Sequence, residues 1–268
     1  MELFNDDCLN ILPQLEDNSV DLFFTDLPYG QTACKWDNKI DLGEMWKLLN
    51  RVCKINCPMI FTTTTKFGVE LINSNPKNFR YDLIWVKSAP AGFLNAKKMP
   101  MRKHEMIYVF YRKLPFYNID DNHTHKFLNS KNGMKGQDNL IYGTEVKQVQ
   151  NKQYDPPLPT SVIKTDLYSN NKNDDKRELY RNEGNQYDPP LPTSLLEIKS
   201  EKGKHQTQKP TALMEWILKY YSKENDIVLD CCMGSGSMGV ACKNLKRNFI
   251  GIELNDEIFK NAEERLIN

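Results

Sequence analysis

No stretch of the 268 residues approaches the roughly 18 consecutive apolar residues of a membrane-spanning helix, so a membrane partner is not expected. The opening residues MELFNDDCLN lack the basic and apolar regions of a secretory leader, and a cytoplasmic location is therefore expected. Paired cysteine motifs are also missing. The seven cysteines (Cys8, Cys34, Cys53, Cys57, Cys231, Cys232, Cys242) include no C-x-x-C, and their odd number excludes a fully paired disulfide framework. Reduced, mostly buried thiols are the expectation. Cys53 and Cys57 have no second ligand pair at zinc-site spacing, and no metal is expected. Residues 1–30 contain no Lys or Arg at all, against seven acids.

What is present begins with the reverse of that imbalance. Between positions 85 and 135 ten basic residues face three acids, Glu105, Asp120 and Asp121, although the chain as a whole carries a formal charge of only +1. Phe93, Tyr108, Phe110, Tyr111, Phe116 and Tyr117 interleave with these cations. Such a stretch suits a polyanion whose bases can be stacked upon, and equally a solvated lysine-rich face.

Short β-branched and aromatic runs recur at Val20–Thr25, Pro58–Thr63, Tyr81–Lys87, Glu105–Tyr111, Asp226–Asp230 and Asn248–Glu253. Helical patterns lie among them at Gly43–Cys53, Thr65–Asn73, Thr211–Tyr221, Ser237–Asn244 and Asp256–Leu266. Strands alternating with helices predict an α/β fold with a largely parallel sheet covered on both faces. Residues 112–204 differ, being rich in Asn, Lys, Asp and Pro, and read as an insertion. Within them QYDPPLPTS occurs at 153–161 and again at 186–194, a local tandem duplication offset by 33 residues. Two copies are too few for a solenoid.

Three constellations carry chemistry. Thr25-Asp26-Leu27-Pro28-Tyr29-Gly30 follows the apolar run VDLFF, at the carboxyl end of a strand where open parallel sheets collect ligands. The Asp26 carboxylate and the Leu27 carbonyl can each accept one hydrogen of an aromatic amine, Pro28 stiffens the turn, and Tyr29 offers a stacking ring. A plain strand-to-loop turn explains the same residues. Asp230-Cys231-Cys232-Met233-Gly234-Ser235-Gly236-Ser237 joins a strand to a helix through glycines that permit close approach of a ligand. A phosphate loop would need a Gly-Lys-Ser/Thr that is absent, whereas Gly234, Gly236 and Gly239 do satisfy GxGxxG and leave a dinucleotide site open. Glu253, closing the next strand, can accept both hydroxyls of a ribose in either case. His205-Gln206-Thr207-Gln208-Lys209-Pro210 precedes a helix; Thr207 and Lys209 can bind a carboxylate, or Thr207 or Thr211 can simply cap the helix.

Together, NDDCL at 5–9, TDLPYG at 25–30, IWVK at 84–87, GFLNAKKMP at 92–100, HQTQKP at 205–210, DCCMGSG at 230–236 and GIEL at 251–254 resemble the β class of DNA amino-methyltransferases, especially the phage and bacterial adenine enzymes. The resemblance covers nearly everything outside 112–200. It implies a Rossmann-like, doubly wound sheet with permuted motif order: a catalytic part (1–111), an inserted target-recognition region (112–204) and a cofactor-binding part (205–268). It implies transfer of a methyl group from S-adenosylmethionine to the N6 amine of a flipped adenine, with DNA as partner. A second copy of the chain is a further candidate partner, although the sequence does not define the oligomeric state.

By the same resemblance Asp26, Leu27, Pro28 and Tyr29 take the place of the catalytic tetrapeptide, Leu27 standing where a first proline is commoner. Asp7, Cys8, Asp26, Asp230, Met233, Gly234, Ser235, Gly236 and Glu253 border the cofactor, with His205, Thr207 and Lys209 near its carboxylate. Cys232 departs from the family's phenylalanine, and Ser237-Met238 from its paired threonines. The repeat copy leading into HQTQKP resembles the strand before that motif, which makes the first copy the extra one. Transfer to the N4 amine of cytosine is the alternative, disfavoured by Asp rather than Ser at position 26. A catalytically silent DNA-binding relative and a dinucleotide oxidoreductase are the other readings.

Overall fold

The computed structural model describes residues 1–30, 39–119, 121–122, 124–127, 152–155, 162–163 and 208–267. An eight-stranded sheet runs through these residues, built from β1 (Glu2–Phe4), β2 (Leu22–Thr25), β3 (Met59–Thr63), β4 (Phe79–Ala91), β5 (Arg102–Phe110), β8 (Val162–Ile163), β9 (Ile227–Asp230) and β10 (Asn248–Ile252). Their order across the sheet is β1-β10-β9-β2-β3-β5-β4-β8. Every neighbouring pair is parallel except those that β5 makes with β3 and β4. The two central strands β2 and β3 are buried residue for residue, LFFT and MIFTT, because a strand covered on both faces has no solvent side. Strands β6 (Thr124–Phe127) and β7 (Lys152–Asp155) form a separate antiparallel ribbon.

Helices cover both faces. On one lie α1 (Cys8–Ile11), α2 (Leu42–Val52) and α3 (Thr65–Ser74), packed with Phe23, Met59, Phe61 and Phe110. The α2 sequence shows why: Met45, Trp46, Leu48, Leu49 and Val52 recur at helical spacing and are buried, and Asp41 caps the start by accepting from the Glu44 N–H at 3.0 Å. The Trp46 ring meets Phe61 and Phe110 at centroid distances of 5.3 and 5.1 Å. On the other face α4 (Thr211–Tyr221), α5 (Ser237–Leu245) and α6 (Asp256–Ile267) cover Leu22, Ile60, Ile107 and Phe249. Each such buried apolar side chain contributes about 1.5–3 kcal/mol, so the two clusters anchor the strand ends between them.

The expected helices appear with ends displaced by a residue or so, and α4 at its expected bounds. Its cap does not fit the expectation for Thr211, which is the first helical residue after Pro210, where no side-chain cap is made. Strands β1 and β8 escaped the pattern reading because three- and two-residue strands are too short to show a period. Part of the compositional insertion docks on this body. Arg112 donates to the carbonyls of Asn50 and Cys53 at 2.8 and 2.6 Å, Tyr117 packs on Tyr220 and Tyr221, and β8 pairs with β4 directly after the first repeat copy. Among the described residues no helix is long and apolar enough to cross a membrane.

Candidate active site

Strands β2 and β9 are neighbours, with Phe23 opposite Leu229, yet their chains leave in opposite directions. β2 leads through α2 on one face toward β3, and β9 leads through α5 on the other face toward β10. A crevice opens where the winding reverses, and ligands of doubly wound sheets collect there. The two motif loops, 26–30 and 231–236, flank it.

At the end of β2, Asp26 keeps a third of its side chain exposed while both of its oxygens are engaged. Oδ1 accepts from the Tyr29 hydroxyl at 2.6 Å and from the Thr62 hydroxyl at 2.5 Å, and Oδ2 accepts from the Lys209 ammonium. Lys209 also lies 3.3 Å from Glu105, whose other oxygen pairs with Lys87 at 2.9 Å. Lysines and acids therefore alternate through the network Asp26, Lys209, Glu105 and Lys87, two of each sign. Burial alone would raise the Asp26 carboxyl, but the Lys209 charge with the two hydroxyls overrides it and holds the group below the ordinary carboxylate range. Burial likewise acts to lower Lys209, and the two carboxylates beside it push it above the ordinary lysine value. Tyr29 is held firmly protonated by burial and by the Asp26 charge. Its ring packs on Phe67 at 5.1 Å, and Leu27 is buried.

The second loop is shaped by β9 and β10. Asp230 is buried, its carboxylate accepts from the Cys232 N–H at 3.1 Å, and burial with the nearby acids Asp26 and Glu253 raises it to about 7. Glu253, just past β10, accepts from the Gly234 N–H at 3.0 Å and from the Asn255 N–H at 2.9 Å, and burial raises it as well. Met233 is buried and donates its N–H to Ile252 at 2.9 Å. Gly234 has φ of 53°, a left-handed value that favours glycine, and a Cβ built there meets nothing within 4 Å, so the space above the loop is open. Helix α5 starts after Gly236 without a side-chain cap, leaving its N-terminus to a ligand's negative group. Arg265 holds the Ser235 carbonyl from behind at 2.9 Å. Acceptors for hydroxyls, an uncapped helix start and open space fit an amino-acid-bearing nucleoside.

Asp7 caps α1 by accepting from the Leu9 N–H at 2.8 Å, and Cys8, the first residue of that helix, neighbours Cys231 and Cys232. The two neighbouring thiols hold Cys8 below the ordinary thiol range and are themselves pushed well above it. The structure thus brings together Asp7, Cys8, Asp26, Tyr29, Lys209, Asp230, Gly234 and Glu253. His205 and Thr207 lie outside the described residues. Lys209 was expected beside a cofactor carboxylate, and its partners here are Asp26 and Glu105. Thr62, Glu105 and Lys87 were not assigned to the site from the sequence. Thr62 is one of four consecutive threonines, and Glu105 carries the single weak signal of an acid within a basic, strand-forming stretch.

The DNA methylase family of N6 and N4 enzymes matches residues 20–264. Type II methyltransferase M1.MboII of Moraxella bovis is 26% identical over 265 residues, which are 95% of this chain and 92% of that protein. The crystal structure of the M1.HpyAVI–SAM complex superposes with a TM-score of 0.58 at 23% identity, covering 99% of this chain and 98% of that one. PvuII DNA methyltransferase, described as cytosine-N4-specific, gives 0.60 at 13% identity, covering 99% and 86%. These two share the fold.

Proposed function

Because the chain belongs to the N6/N4 DNA methylase family and is a DNA methyltransferase, we propose that it methylates the N6 amine of an adenine flipped out of duplex DNA at a specific sequence. The observation that carries this reading is the Asp26 carboxylate, held ionised and oriented at the switch point beside the open loop of Gly234 and Glu253.

S-adenosylmethionine supplies, when bound, a methyl group on a positive sulfonium that leaves as a neutral thioether. In this chain Glu253 would accept its ribose hydroxyls, the start of α5 would face its carboxylate, and Asp7 with Cys8 would border its adenine. Little acid or base help is needed for attack by an amine, so the residues of the site act chiefly by positioning. A carboxylate has about four acceptor positions, and three on Asp26 are filled by Tyr29, Thr62 and Lys209. The remaining one, with the Leu27 carbonyl, suits the two hydrogens of one exocyclic amine. Held below its ordinary range, Asp26 stays an acceptor and does not carry a proton that would turn it into a donor. A base within a duplex cannot reach this crevice, so flipping is required, at a cost of a few kcal/mol.

Residues 1–111 and 205–268 form the catalytic body in this reading, and 112–204 supply target recognition. The acid at position 26 supports adenine over cytosine. Incubation with unmethylated DNA and S-adenosylmethionine, digestion to nucleosides and mass spectrometry test the proposal. N6-methyladenine is expected. N4-methylcytosine would move the target while keeping the site, and no methylated nucleoside from folded protein would overturn it.

A further inference from the structure

The hairpin between β4 and β5 exposes residues that proteins usually bury. β2 and β3 are parallel, and β5 is antiparallel to both β3 and β4, so β4 runs in the direction of β2 and its far end projects on the side of Asp26. The base of the hairpin is tied to the site through Lys87, Glu105 and Lys209. Beyond it the register breaks, the four residues 87–90 facing the single Lys103, a bulge that re-aims the arm. Gly92, with φ of 93°, then opens a tight turn over Phe93–Asn95. The turn is fastened by N–H donation from Asn95 to Gly92, Ala96 to Phe93, Lys98 to Asn95 and Met99 to Asn95, all at 2.8–3.0 Å. Ala96 is buried under it, whereas Phe93 is 66% and Leu94 96% exposed. A hydrogen-bonded turn that holds two adjoining large apolar side chains in water is built for a partner.

We propose that this turn is a wedge for duplex DNA. Phe93 and Leu94 enter the base stack beside the target and fill the place it leaves on flipping, while Lys98 and Arg102 meet the flanking phosphates. Charge decides for DNA against a second protein surface: residues 88–104 hold Lys97, Lys98, Arg102 and Lys103 and no acid. Apolar side chains of this kind between cations are the means by which proteins unstack and kink a duplex. The inference rests on the DNA methylation reading and adds the element that opens the helix.

The test compares wild type with the double variant F93S/L94S, whose exposed positions leave the fold intact. Two oligonucleotide duplexes are used, both carrying the sequence that wild type methylates, as found by sequencing its product. One is fully paired; in the other the base opposite the target is an abasic site, so the target is already unpaired. The variant is expected to lose about tenfold or more in kcat/KM on the paired duplex and to recover to within about threefold of wild type on the abasic one. Equal losses on both substrates, no loss on either, or a changed oligomeric state in the variant would overturn the wedge. Failure of wild type to methylate any DNA would instead overturn the functional reading on which the wedge rests.

Discussion

Lys209 and Asp26, 183 residues apart in the chain, are joined by an ammonium-to-carboxylate hydrogen bond at the end of β2. The lysine is buried to 14% exposure and shares its charge with Glu105, so it serves as a fixed positive strut between two acids. Its place explains why a carboxylate in a crevice stays ionised, and together with the Tyr29 and Thr62 hydroxyls it leaves one acceptor position open.

Replacing Lys209 with Met is expected to cut methyl transfer by about tenfold or more and to shift the acid limb of the kcat profile toward higher pH. The sign follows from Asp26: with its carboxyl held down, ionisation is complete above the ordinary carboxylate range and lost only as pH falls further. Without the lysine, burial acts unopposed and the loss begins at higher pH. Lys209→Arg should restore part of both effects. A pH profile at saturating DNA checks this, and an unmoved acid limb would count against the strut.

Asp26→Ala should abolish transfer and leave most DNA binding, because phosphate contacts elsewhere supply that affinity. Lys209 keeps Glu105 as a partner, so the variant should melt within several degrees of wild type. Near-normal turnover would remove Asp26 from catalysis.

Tyr29 separates two roles that one residue carries. Tyr29→Phe removes the hydroxyl from Asp26 and keeps the ring on Phe67; Tyr29→Ala removes both. The Phe variant should mainly lower kcat, and the Ala variant should in addition weaken binding of DNA with an unpaired target base, by about 1–3 kcal/mol if stacking is lost. Equal kinetics for the two would show that the ring does not contact the base.

Asp230 gives a stability test. It is raised to about 7 in the fold but ionises near pH 4 in an unfolded chain, so its contribution is complete below about pH 4 and lost as pH rises to about 7, at roughly 1.4 kcal/mol per unit. Asp230→Asn, which can still accept from Cys232, should flatten that slope. Denaturant unfolding at pH 5 and pH 8 checks it; the same slope in both proteins would place Asp230 outside the effect.

Deleting residues 153–185 should leave folded protein with S-adenosylmethionine affinity intact. The deletion slides an identical QYD, residues 186–188, into the place of the β7 residues Gln153–Asp155, and Leu195-Leu196 into the place of the β8 residues Val162-Ile163. Calorimetric titration with S-adenosylmethionine decides this, and loss of binding would give the first copy a role of its own.

The sequence by itself determined the long elements and the two loops. Helices such as α2 and α4 repeat their apolar residues at helical spacing, and β2 and β3 are apolar throughout because both faces are covered. Asp26 and Gly234 were legible because strand ends and left-handed turns are local features. Tertiary structure alone decided what surrounds Asp26. Thr62 and Lys209 reach it from β3 and the approach to α4, Glu105 of β5 holds the far side of Lys209, and no spacing in the chain encodes that convergence. The same holds for Cys8, brought against Cys231 and Cys232 by the packing of α1. Hydrogen bonds along one helix or turn follow from neighbours in sequence, whereas an ion network between distant segments exists only once the sheet has fixed their order.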